Sequence, residues 1–224
     1  SELNLYQEKI IFMPKIWNCH SGLDIKRTFN EPPFLKNGFV TFASFNNFSK
    51  INNSVIETWS KILKEVKNSK LILKSSSPRI TDILSEKFQN QGVLSSVEFM
   101  NTKTNFEDHI NLYKKVDIAL DTFPYNGVTT SFESIWMGVP VITMKGYNFN
   151  SRCGESINKN LDMEFLIAEN EIQYIAKAEE LCEDKDKLTN IRKKIFDQAV
   201  SSSLFDTKSF SYDFFKTLET IYNK

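Results

Sequence analysis

Little in the 224-residue chain would tie it to a disulfide framework, a metal or a nucleic acid. It has three cysteines, Cys19, Cys153 and Cys182, and two histidines, His20 and His109. The cysteine count is odd and no pair has Cys-x-x-Cys spacing, which argues against both a disulfide scaffold and a zinc module. A reducing compartment, the cytoplasm, is the expectation. The 28 Lys and Arg balance 28 Asp and Glu, so the net charge is zero. No basic block stands out, and no nucleic-acid partner is expected. No apolar run approaches membrane-spanning length, so no membrane partner is expected either. No secretory leader is visible. Asn47-Phe-Ser and Asn52-Asn-Ser match the glycosylation pattern, but without a leader they count as background. Internal repeats and low-complexity segments are lacking too.

What is present is a regular alternation of strand-like and helix-like runs. Hydrophobic residues make up 41% of the chain, and the mean hydropathy is −0.34, as in a globular domain. Residues 1–37 read as an irregular linker, broken by Pro14, Gly22, Pro32 and Pro33, that leaves an earlier domain. Within it Ile10–Met13 reads as a short buried strand, and His20 as an ordinary loop histidine. Strands follow near 39–44, 70–73, 97–100, 116–121 and 139–143. The helices between them carry apolar stripes, such as Val55, Ile56, Trp59, Ile62, Leu63 and Val66. This order predicts an α/β fold with a doubly wound, parallel sheet. Residues 144–224 are mostly helical, with one further short strand at 165–168. Helices are expected near 170–182, 184–199 and 207–222, the last with a core stripe of Phe210, Phe214, Leu218 and Ile221. The expected division is a linker at 1–37, a Rossmann-like domain at 38–205, and a C-terminal helix at 206–224 that packs back on the fold.

Residues 116–143 form the most informative stretch. Val116, Ile118 and Leu120 alternate as in a strand, and Pro124, Asn126 and Gly127 make a turn. Thr129 and Thr130 stand where a helix begins, with Glu133 in its first turn and Gly138 at its end. The first amides of a helix lack internal partners, and its dipole is positive there. Such a turn at the carboxyl end of a parallel strand suits a phosphate. Gly127 lets the backbone approach a ligand. On spacing alone, the two threonines serve equally well as caps of a structural helix.

The residues Asp121-Thr-Phe-Pro-Tyr-Asn-Gly-Val-Thr-Thr-Ser-Phe-Glu-Ser-Ile-Trp-Met-Gly-Val-Pro-Val-Ile-Thr143 resemble the signature of the O-linked N-acetylglucosamine transferase family. The bacterial members with tetratricopeptide repeats are the closest in pattern. The resemblance runs over roughly residues 6–222 and is strongest at 38–67 and 109–152. It implies the C-terminal, Rossmann-like half of a GT-B glycosyltransferase. Phe45-Asn-Asn-Phe-Ser-Lys50 is similar to a family segment whose lysine holds the nucleotide phosphates. By itself Lys50 reads as a solvated lysine. The resemblance places Asn47 at a polar nucleotide contact and His109, otherwise a structural helix histidine, beside the uridine and phosphate. It sets Asn126, Gly127, Thr129 and Thr130 around the diphosphate and Glu133 at the ribose hydroxyls. Arg152 falls where relatives have a Ser-Arg pair opening a helix, and a phosphate contact and a structural ion pair both fit it. Val128 departs from the human type, which has a histidine there, and Lys103 lies in a loop of different length.

The implied activity is transfer of N-acetylglucosamine from UDP to Ser or Thr of a protein acceptor. Lys50 would stabilise the leaving group, and no metal or other cofactor is expected. The implied partners are UDP or a UDP-sugar, a missing N-terminal half with its repeats, and the acceptor protein. This piece alone is expected to be inactive. Two alternatives stand beside this: half of a GDP-fucose-dependent protein O-fucosyltransferase, and a non-catalytic nucleotide-sugar scaffold. A receiver-like domain is disfavoured, because the first strand ends in Phe-Asn-Asn rather than clustered acids.

Overall fold

The computed structural model describes residues 4, 6–75, 77–101 and 105–223. Six parallel strands form one sheet in the order β3-β2-β1-β4-β5-β6. They are β1 Thr41–Ser44, β2 Lys70–Ser75, β3 Val97–Asn101, β4 Ile118–Leu120, β5 Val141–Met144 and β6 Ile167–Ala168. The expected doubly wound sheet is therefore present, and its order is the Rossmann one. All four residues of β1 are buried, and so are all three of β4. Central parallel strands are covered on both faces, and their sequences read as apolar runs for that reason.

Helices join the strands. They are α1 Pro33–Asn37, α2 Asn53–Glu65, α3 Pro78–Asn90, α4 Phe106–Leu112, α5 Thr129–Trp136, α6 Cys153–Lys159, α7 Glu171–Glu183, α8 Lys185–Ala199 and α9 Thr207–Tyr222. Local chemistry starts most of them: the side chains of Asn52, Ser77, Asn105, Asn170, Asp184 and Asp206 accept from amides in the first turns of α2, α3, α4, α7, α8 and α9. Val55, Trp59 and Ile62 of α2 are fully buried, as their spacing predicts. Arg192 of α8 is also buried, and its Nη1 donates to the carbonyls of Val116 (2.7 Å) and Asp117 (2.9 Å). That pair of bonds ties α8 to the start of β4. Gly138, at φ 73°, turns the chain from α5 into β5.

Three expectations are corrected. Residues 10–13 form no strand, and Ile11 and Phe12 are exposed, because no neighbouring strand offers them a ladder. Residues 16–27, expected as part of an irregular linker, pack on the fold. Ile16 and Leu23 are buried, and the Arg27 guanidinium lies 3.7 Å from the centre of the Phe196 ring while its Nε donates to Trp136 O. Residues 33–37 are helical, with Phe34 in the core. Lastly, the α9 stripe is not core: no residue of that helix is buried, and Phe214, Leu218 and Ile221 are each more than two-fifths exposed. Among the described residues, its first turns touch the rest through Phe210, the Lys15–Ser209 hydrogen bond and the Lys15–Asp213 ion pair.

Candidate functional site

The sheet order brings the exits of β1 and β4 side by side. From β1 the chain proceeds to β2 and β3, and from β4 it proceeds the other way to β5 and β6. The two exits therefore diverge, and a crevice opens between them at the carboxyl ends, where doubly wound sheets place their ligands. One wall is residues 46–50, whose last three form a single 3-10 turn, Phe48–Lys50. The other is residues 121–129, leading into α5.

Lys50 reaches across. Its Nζ donates to Asn126 O at 2.8 Å and lies 4.0 Å from the centre of the Tyr125 ring. Burial lowers its pKa, and the charge of Asp121 partly opposes this. Thr130 is tied to the same wall, because its hydroxyl donates to Asn46 Oδ1 at 2.9 Å. The capping alternative is thereby decided: Val128 is the N-cap of α5, and neither threonine caps with its side chain. Thr129 is exposed at the helix start.

Asp121 holds the turn together. One carboxylate oxygen accepts from the amides of Gly127 (2.6 Å) and Thr122 (2.9 Å), the other from the Thr143 hydroxyl (2.8 Å). Burial still raises its pKa to about 6. Gly127 is needed for a reason the sequence reading did not anticipate. A Cβ there would lie 2.6 Å from Asn46 Oδ1 and 2.7 Å from Thr130 Oγ1, so side chains rather than a ligand fill its space. Asn126 is fully buried. Its Nδ2 donates to Thr122 O and Met144 O, and its Oδ1 accepts from Gly154 N. The Asn126 side chain is thus a brace between the turn and α6, and what faces Lys50 is its backbone carbonyl.

Glu133 is the fifth residue of α5, one turn further in than expected, and is buried. Its Oε2 accepts from the Tyr113 hydroxyl at 2.9 Å and lies 3.1 Å from His109 Nε2. That ring nitrogen must carry the proton, because a carboxylate oxygen can only accept. His109 Nδ1 is buried without a partner among the described residues. Phe45 packs edge-on against both His109 and Tyr113. Burial and the nearby Glu133 charge push the Tyr113 phenol well above its usual pKa.

Two candidates stand apart from this cluster. Asn47 is exposed, and its Oδ1 caps the short 3-10 turn through Ser49 N. Arg152 donates to Glu155 at 2.7 Å, an ion pair at the start of α6. Lys103 lies outside the described residues. Sequence reasoning missed Asn46, Tyr113, Asp121 and Tyr125 as site residues. Tyr113 had a signal, being four residues after His109 on one helix face. Asp121 follows directly on the buried strand β4, and Asn46 comes two residues after β1.

The larger clefts are elsewhere. One of about 830 Å³ lies at the opposite end of the sheet, by Thr41, Lys70 and Val97. Another of about 710 Å³ lies between residues 6–17 and 147–160. The second has a buried carboxylate, Glu155, but Arg152 and Lys159 already pair with it; the β1–β4 crevice is marked by its place where the two strand exits diverge, not by volume.

The model of glycosyl transferase family 41 matches residues 27–214. The chain belongs to this family. It is 34% identical over 222 residues to the tomato (Solanum lycopersicum) protein named "Probable UDP-N-acetylglucosamine--peptide N-acetylglucosaminyltransferase SPINDLY", covering 96% of this chain and 23% of that one. It is 31% identical over 175 residues to the UDP-N-acetylglucosamine–peptide N-acetylglucosaminyltransferase of Caenorhabditis elegans, covering 78% of this chain and 15% of that protein. Among solved structures it is similar to a K341M mutant of the Thermobaculum terrenum O-GlcNAc transferase. There the TM-score is 0.86 at 26% identity, over 98% of this chain and 41% of the other. The chain thus spans about a quarter of the curated relatives it matches first. The fold is the Rossmann-like half of a GT-B glycosyltransferase. Among the described residues no helix is long and apolar enough to cross a membrane.

Proposed function

We propose that the chain is the donor-binding half of a protein O-glycosyltransferase that takes N-acetylglucosamine from UDP and passes it to Ser or Thr of a protein. The observation that carries this is the convergence of Lys50, His109 and the start of α5 with its Glu133 on one crevice from three separate elements. Negative charge develops on the departing diphosphate. Preorganised donors in a partly dry site stabilise it without reorganising during the reaction. Lys50 supplies a full charge, Thr129 a free-facing hydroxyl, and the start of α5 its unpaired amides. The proposal assigns the leaving-group charge to these groups rather than to a metal ion. Glu133 keeps Oε1 for a ribose hydroxyl, while Oε2 is held by Tyr113 and His109. The names of the curated relatives support UDP-N-acetylglucosamine as donor over GDP-fucose. The partner half, repeats and acceptor site belong, in this reading, to a longer protein.

Calorimetry on the wild type and two variants tests it. Lys50→Ala should weaken UDP by about 1.5–3 kcal/mol, the range for a charge-assisted hydrogen bond, and leave uridine unchanged. Glu133→Ala should weaken uridine and UDP alike. EDTA should change neither affinity. Equal UDP affinity in all three proteins, or tighter binding of GDP than of UDP, would overturn the assignment.

A further inference from the structure

We infer that Tyr125 is a positioning residue that holds the Lys50 ammonium ready for the diphosphate, an inference that rests on the nucleotide site proposed above. Lys50 leaves the β1 wall and Tyr125 belongs to the β4 wall, so the pair bridges the crevice. The ammonium lies 4.0 Å from the centre of the Tyr125 ring and donates to the carbonyl of the next residue, Asn126, at 2.8 Å. One ammonium is thus held by two adjacent residues of a single turn. The turn is itself fixed: Thr122 Oγ1 donates to Tyr125 O at 2.7 Å, and the Asn126 amide donates to Asn150 O.

The chemistry follows from what a lysine lacks. Its four-carbon stem is flexible, and ordering it on a ligand costs rotamer freedom. The ring face attracts the cation and removes part of that freedom beforehand. An ammonium has three donors. One is spent on Asn126 O, and the ring covers another side, which leaves the rest of its hydrogens for phosphate oxygens. The burial that lowers the Lys50 pKa also weakens competition from water for the ring. The Tyr125 ring is half exposed, so it has little part in the core. Its hydroxyl has no role in this scheme.

A double-mutant cycle on the 224-residue chain tests the inference, read by calorimetry with UDP and uridine. Tyr125→Leu should weaken UDP about 3- to 10-fold, the span of an ordinary cation–π contact, and leave uridine and the melting temperature unchanged. Tyr125→Phe should restore UDP affinity to within about twofold of wild type, because the ring face is retained. In a Lys50→Ala background, Tyr125→Leu should have no further effect. If Lys50→Ala weakens UDP but Tyr125→Leu does not, the inference fails and the nucleotide site stands. If Tyr125→Leu weakens UDP as much without Lys50 as with it, the ring touches the ligand directly, and the positioning role is wrong. If Lys50→Ala itself changes nothing, the site and the inference both fall.

Discussion

Asp121 is buried completely, yet it accepts two amides and a hydroxyl and sits within the field of Lys50. Those partners favour the carboxylate, while burial favours the acid and prevails, moving the pKa from 3.8 to about 6. The linkage has a definite sign. Between pH 3.8 and 6 the folded chain binds more protons at this group than the unfolded one. Stability from Asp121 therefore rises as the pH falls from 7 to 4. About two pKa units correspond to roughly 3 kcal/mol. The stability difference between wild type and Asp121→Asn should widen in favour of wild type by that order from pH 7 to 4 in urea titrations. A carboxyl titration by NMR should place the midpoint near 6. A midpoint below 4 would mean that the hydrogen bonds outweigh burial. This residue was only partly legible. Its place at a strand end was, but its bond to an amide six residues on depends on the shape of the whole turn.

At the scale of elements, α2 and α9 have similar apolar periodicity and opposite fates. Val55, Trp59 and Ile62 vanish beneath the sheet's cover, whereas Phe214, Leu218 and Ile221 stay exposed. Periodicity shows that a helix has an apolar face, but it does not show whether a partner exists to cover it. That is why the helix boundaries were legible and the burial of α9 was not. The two faces should respond differently to substitution. Ile62→Ala should cost about 2–5 kcal/mol, through lost contact and a residual cavity. Leu218→Lys should stay within about 0.5 kcal/mol in this chain, as surface changes do. Denaturant midpoints of both variants check this. A loss above 2 kcal/mol for Leu218→Lys would show that α9 is covered in solution. The site elements show the same limit. His109 on α4 and Tyr113 just past its end are paired by spacing, but their meeting with Glu133 on α5 is a fact of packing.

At the scale of the molecule, the alternation of strands and helices implied a parallel sheet but left its spatial order open. The order puts β1 beside β4, so that the lysine wall and the helix-start wall face one another. The roles proposed for the crevice belong to one side of a transfer reaction: Lys50 and the α5 amides to a diphosphate, Glu133 to a ribose. No group in it has been assigned to an acceptor hydroxyl or its proton. The chain also spans 23% of the tomato relative and 41% of the bacterial transferase it resembles in structure. Binding and turnover should therefore separate. The 224-residue chain should bind UDP with the Lys50 and Glu133 dependence given above. It should not release UDP from UDP-N-acetylglucosamine in the presence of a Ser/Thr peptide at an ordinary enzyme rate, about 1 per second or more. A longer chain that includes the matching remainder should do so, and Lys50→Ala in that longer chain should lower kcat as well as donor affinity, since the ammonium acts on charge that grows during bond cleavage. Ordinary turnover by the short chain would place the acceptor machinery within these residues. A longer variant in which only KM changed would assign Lys50 to ground-state binding alone.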